Sequence, residues 1–138
     1  MIILLCGTSD IGRRMLAEKI VREKKDWKHL PLERVDELTR EQNIGGEKDD
    51  MFIRIACHCA KEMGEQGYHV VLSHPTGLEE IELMREEFGP GFIGFHLGAV
   101  DSEVTDERIE ELFDYLIDSG RHSVNDAYTL MMQVVDEE

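Results

Sequence analysis

CGTSDIGRR, residues 6–14, follows the apolar run MIILL at 1–5 and leads into a segment with helical character. Gly7 and Gly12 bracket the turn between them. Glycine lets a backbone come close to an anion and turn its amides toward it. A helix that starts where such a turn ends aims its positive end at the same point. Strand, glycine turn and helix in this order predict an anion-binding loop built from Gly7, Thr8, Ser9, Asp10, Ile11 and Gly12, with Arg13 and Arg14 at the head of the helix.

Outward from this loop, strands and helices alternate. Residues 2–6 are continuously apolar, as a strand covered on both faces should be. Residues 12–25 read as a helix with Met15, Leu16, Lys19 and Ile20 along its inner stripe. HLPL (29–32) is a short strand that Pro31 places near a strand end. Residues 33–41 are helical, and NIGGEKDD (43–50) breaks the chain. Residues 50–66 are amphipathic, with Phe52, Ile55, Ala56, Cys59 and Met63 on one face. YHVVLS (68–73) and FIGFHL (92–97) are further strands, and YLID (115–118) reads as a last strand or as the end of the helix before it. Helices are expected at 77–88, 105–113 and 123–135, the last with Ser123 as N-cap and Asp126 at N3. Alternation of this kind implies right-handed crossovers. The expected fold is therefore α/β: a three-layer α/β/α sandwich with a mostly parallel sheet of about five strands, formed by residues 1–138 as one domain. Ligands in such sheets bind beyond the carboxyl ends of the strands. That gathers the 6–14, 73–77, 98–104 and 119–122 loops around one cleft.

The chain has 138 residues, 41% of them hydrophobic, enough for a buried core. Its formal net charge of −15 argues against nucleic acid and anionic membranes as partners. The apolar runs are strand-sized, so no membrane span is expected. MIILL lacks a preceding basic region and a following cleavage site, and reads as a core strand rather than a signal peptide. Three cysteines suit a reducing, cytoplasmic setting. Against the acidic background, residues 13–28 hold seven cations and three acids. A solvated helix face and a helix that meets an anion both account for this surplus.

Gly7 and Gly12 stand at the spacing of the phosphate-binding loop G-x-x-x-x-G-K-[ST]. The strand and GTSDIGRR resemble the first strand and phosphate loop of the P-loop kinases, in particular small nucleoside, nucleotide and dephospho-coenzyme-A kinases. The resemblance continues through WKHLPLERVDE, GYHVVLSHPTGLEEIELMREEFG, FIGFHLGAVDSEVTDER and DYLIDSGRHSVNDAYTLMMQ, in chain order. It implies a P-loop kinase-like fold, ATP as cofactor with magnesium beside it, and phosphoryl transfer to a small-molecule acceptor. Carried residue by residue, it implies that Gly7 to Gly12, Arg13 and Arg14 hold the phosphates. Arg108 is a charge clamp from a short lid, and Ser119, Gly120 and Arg121 meet the adenine. Asp36, Arg54, Ser73 and His74 surround the acceptor, with Arg13, Asp36 and His74 in catalytic roles. The departures are specific. Arg13 replaces the loop lysine, and the two cations are not interchangeable at such a site. Arg14 replaces the hydroxyl that holds magnesium. Ser73 and His74 stand where an acid often lies. A phosphate loop degenerate in this way also fits a non-catalytic module that binds a nucleotide, a phosphorylated metabolite or a protein partner.

CGTSDIGRR also resembles the opening loop of short-chain dehydrogenases, T-G-G-T-S-G-I-G-R. Cys6 and Asp10 replace two of its glycines, and none of Tyr68, Tyr115 and Tyr128 is followed by lysine four residues on. A nicotinamide-binding Rossmann-like protein is the third reading. CHC (57–59) is not a metal site on a helix, because residues two apart point to nearly opposite sides; Cys59 is expected in the core, with Cys57 and His58 off it. SHPTG (73–77) joins a strand end to a helix cap as well as a catalytic loop would. His96 and Asp101 are expected near the cleft, and Trp27 and Pro31 over a ring or over the sheet edge. LMM (130–132) is expected in the core. The oligomeric state is left open, a homo-oligomer included.

Overall fold

The computed structural model describes residues 1–7, 10–44, 51–74, 78–98, 111–118 and 122–137, with main chain alone at 10, 11, 78 and 79. The chain runs β1 (Ile2–Gly7), α1 (Asp10–Glu23), β2 (Trp27–Pro31), α2 (Leu32–Glu41), α3 (Met51–Glu65), β3 (His69–His74), α4 (Leu78–Phe88), a 3₁₀ turn (Gly89–Gly91), β4 (Phe92–Gly98), β5 (Tyr115–Asp118) and α5 (Val124–Glu137). The five strands form one sheet in the order β2-β3-β1-β4-β5. All four pairings are parallel. The sheet is the one expected from the alternation of apolar runs and amphipathic segments. The helix expected over 105–113 lies mostly outside the described residues.

Two apolar clusters cover the two faces. Leu16, Ala17 and Ile20 of α1, and Ala127, Met131, Met132 and Val135 of α5, pack on Ile3, Leu5, Val71, Phe95 and Leu97. Leu32 of α2, Phe52, Ile53, Ala56 and Ala60 of α3, and Ile81 and Met84 of α4 pack on Leu4, Cys6, Val70 and Leu72. The strand residues alternate between the two faces because side chains on a strand have a period of two. Both faces of β1 are covered, which is why its sequence is uniformly apolar. Trp27 is buried at the edge strand β2, with its ring stacked on His69 at 5.1 Å. Ser123 Oγ accepts the Asp126 amide hydrogen at 3.2 Å, so the sequence signal for the start of α5 matches its first turn.

Some helix faces are rotated from expectation. On α1 Met15 is 48% exposed, while Arg13, Leu16, Ala17 and Ile20 are buried. On α3 the buried face is Phe52, Ile53, Ala56, Cys57 and Ala60; Cys59 is exposed. The expected stripe shared Phe52 and Ala56 with the real one but ran along their other side. Small residues decide this: Ala56, Cys57 and Ala60 let α3 approach the sheet closely, and a count of large side chains gives them little weight. Leu130 is likewise exposed beside buried Met131 and Met132.

Candidate functional site

The connections after β1 and β3 leave toward opposite faces of the sheet, α1 to one and α4 to the other. A crevice opens beyond the carboxyl ends of two such strands. Cys6 pairs with His74 there, and Pro31 of β2 pairs with Ser73. Gly7 of β1, Arg13 of α1, and Ser73 and His74 of β3 therefore reach this end of the sheet from three elements.

Gly7 ends β1 with φ +145°, and a Cβ there would collide with the Leu97 carbonyl oxygen of β4. Only glycine fits that backbone against its neighbour. The loop after it contains Thr8 and Ser9, which lie outside the described residues, as do Pro75, Thr76, Gly77, Asp101, Arg108, Ser119, Gly120 and Arg121. The chain is helical again from Asp10, so Gly12 and Arg13 fall in the first turn of α1.

Arg13 is 3% exposed. Its Nη1 donates to the Gly7 carbonyl oxygen, and its Nη2 lies 3.6 Å from Glu33 Oε1 in the first turn of α2. The guanidinium thus ties the end of β1 to the start of α2. A lysine ammonium could not form this planar two-sided contact. Behind it, burial pushes the Cys6 thiol well above the ordinary range, although Arg13 pulls the other way. That cysteine is an inert core residue.

Arg13, Arg14 and Glu18 of α1, His29 and Pro31 of β2, Glu33 and Arg34 of α2, and Ser73 of β3 line a cleft of about 280 Å³. Within it His29 Nε2 lies 2.9 Å from Ser73 Oγ. Burial lowers the His29 pKa below the usual histidine value, and Glu18 partly opposes this. The imidazole is neutral at neutral pH and can accept a proton. Ser73 is buried at the cleft wall.

His74 points to the other face, its ring stacked on Phe52 at 5.8 Å. Burial lowers its pKa; Glu80 and Asp36 oppose that, and Arg13 reinforces it. Asp36 accepts a hydrogen bond from Arg40 Nε at 2.9 Å, one turn further along α2. Arg54 is exposed on α3, two residues after Phe52 and so on nearly the opposite side of the helix from it. His96 sits on β4 with its ring edge-on to Phe113 at 5.2 Å. Of the residues expected at the site, the structure therefore places Arg13, Arg14 and Ser73 in the cleft wall, with Gly7 held to Arg13 beside it and His74 on the other face of the sheet.

Sequence reasoning did not single out His29, Glu33, Arg34 or Glu18. One signal for His29 was available: it is two residues from Trp27 on a strand and so shares its face. Glu33 and Arg34 come one residue after the strand-ending Pro31, in the first turn of α2, where a parallel strand opens toward a ligand.

No protein-family model and no curated protein sequence matches the chain. Solved structures do. The chain is similar to an APS kinase from Mycobacterium tuberculosis, with a TM-score of 0.68 and 13% identity over 98% of this chain and 96% of that one. It is similar to a tunicamycin resistance protein from Deinococcus radiodurans, with a TM-score of 0.71 and 15% identity over 97% and 94% of the two chains. It is also similar to a shikimate kinase from Acinetobacter baumannii, with a TM-score of 0.62 and 14% identity over 99% and 93%. At such identities the likeness shows the fold: this chain has the P-loop kinase-like α/β architecture.

Proposed function

We propose that this protein binds a nucleotide at the Gly7–Gly12 loop and transfers the terminal phosphoryl group of ATP to a small-molecule acceptor seated in the adjoining cleft. The observation that carries this reading is the junction itself. A glycine-gated strand end and the first turn of a helix meet a cleft of about 280 Å³ walled by Arg13, Arg14, His29, Arg34 and Ser73. Amides at the head of α1 and the exposed Arg14 would face the phosphates. Arg108, Ser119, Gly120 and Arg121 are proposed to complete the nucleotide side. Ser73 is proposed for the acceptor side within the cleft, with Asp36, Arg54 and His74 proposed to reach the acceptor from beyond its lining, and Arg13 braces the loop from beneath. The three arginines of the cleft outnumber its two glutamates in a chain of net charge −15, so anionic groups are favoured there. The donor set does not fit a magnesium ligand at position 14, where a guanidinium replaces a hydroxyl.

One observation favours the second reading, nucleotide binding without turnover. The Arg13 guanidinium is already engaged by Gly7 and Glu33, so it is not poised to follow charge onto a transferring phosphate. The cytoplasmic setting is a proposal that rests on three free cysteines.

Thermal unfolding with ATP, ADP, NAD, NADP and sulfate, each with and without magnesium, tests both readings. A ligand at 100 times its dissociation constant stabilises the fold by about 2.7 kcal/mol. Stabilisation by ATP or ADP supports the nucleotide site, and ADP release with an acceptor separates enzyme from binding module. A response to NAD or NADP alone, or to none of these, overturns the proposal.

A further inference from the structure

We infer that His29 and Ser73 form the general base of this cleft, relaying the proton of the acceptor hydroxyl away from the reacting oxygen; this rests on the phosphotransferase reading above. The sequence directed attention to Asp36 and His74 for that task. Asp36 is paired with Arg40 along α2 and does not line the cleft. His74 is stacked on Phe52 on the face of the sheet opposite His29. His29 and Ser73 stand at hydrogen-bond distance in the wall of the cleft that Arg13 and Arg14 join to the loop.

The parts suit the chemistry. A half-buried, neutral imidazole with its proton on Nδ1 accepts the Ser73 hydroxyl hydrogen at Nε2, and in that tautomer Ser73 Oγ is left to accept from a hydroxyl in the cleft. The charged groups that share the cleft with His29 are Arg13, Arg14 and Glu18 from α1 and Glu33 and Arg34 from α2. In the transfer, the acceptor oxygen forms a bond to the terminal phosphorus of ATP as the bond from that phosphorus to its bridging oxygen breaks. ADP leaves with that electron pair. The acceptor proton passes to Ser73 Oγ, the serine proton passes to His29 Nε2, and His29 then releases it to solvent. No oxidant or reductant is needed.

Water serves as an acceptor that needs no identification. ADP release from ATP is followed between pH 5 and 8 for wild type, His29→Gln and Ser73→Ala, with ATP affinity and unfolding midpoint measured for each. In His29→Gln, kcat falls about 100-fold, the size of a general-base contribution, while KM for ATP is unchanged. The wild-type rate falls as pH drops below the ordinary histidine range. Ser73→Ala moves that limb, because it removes the partner of the imidazole. A His29→Gln protein that binds ATP and hydrolyses it with the wild-type profile overturns the base and leaves the kinase reading standing. A limb that Ser73→Ala does not move overturns the relay. Wild type that neither binds nor hydrolyses ATP overturns both readings.

Discussion

At the scale of single residues, Arg13 holds the most consequence. In the sequence it is a substituted phosphate lysine; in the fold it is a buried strut between Gly7 and Glu33. Those two roles make opposite demands on stability. A solvent-facing phosphate ligand contributes little to folding. A buried guanidinium whose partners lose their donor on truncation contributes much. Arg13→Ala should destabilise the unliganded protein by about 2–3 kcal/mol, less than a fully enclosed pair because the Glu33 side chain is 34% exposed. Urea unfolding without ligand checks this. Glu33→Gln in the Arg13→Ala background should cost less than it does alone, since the pair is already broken. An Arg13→Ala midpoint equal to that of wild type would show that the strut is absent in solution. The brace was not legible in the sequence. Which way a long cation turns depends on the Gly7 carbonyl and on a residue twenty positions on, and no local pattern encodes either.

At the scale of elements, strands were legible and helix faces less so. The inner strands β1, β3 and β4 announce themselves as short apolar runs because both of their faces are covered, whereas the edge strands β2 and β5, half-buried or exposed along most of their length, carry a weaker signal. The α3 stripe was misphased because large side chains at 52, 55 and 63 outweighed small ones at 57 and 60. The buried face, with Ala56, Cys57 and Ala60, is the one that allows close contact. Thiol chemistry tests this rotation directly. Cys57 is buried, and burial raises its pKa to about 11. Cys6 is buried beneath Arg13, and Cys59 is exposed. Ellman's reagent should therefore titrate one thiol rapidly in the native protein and all three in urea. Cys59→Ser should abolish the fast phase. Rapid labelling of Cys57 in the native state would restore the phase first read from the sequence. The same element-scale reasoning explains why His29 escaped notice. A histidine on a five-residue strand looks like an edge polar residue until its ring nitrogen proves to reach Ser73, two positions beyond its own partner on β3.

At the scale of the whole molecule, charge and histidines act on stability in opposite directions. The chain carries a formal net charge of −15, so self-repulsion opposes compaction near neutral pH. Salt should raise the unfolding temperature there by screening it. Acidification brings in a second set of groups. Burial is the first cause lowering the pKa of His29, His69, His74 and His96 in the folded state. A folded-state pKa below the unfolded one means that the unfolded chain binds protons first as pH falls. The stability these neutral imidazoles sustain is fully present above the ordinary histidine value and is lost as pH drops through their lowered values. Relief of carboxylate repulsion begins nearer the ordinary carboxylate range, roughly pH 4. Urea midpoints should accordingly decline from pH 7 toward pH 5 even though the net charge is shrinking. His29→Gln and His74→Gln should each flatten that decline, because each removes one group whose protonation favours unfolding. Midpoints that rise steadily from pH 7 to pH 5 would mean that self-repulsion outweighs the buried imidazoles, and that the histidines along the sheet are more solvated than their packing implies.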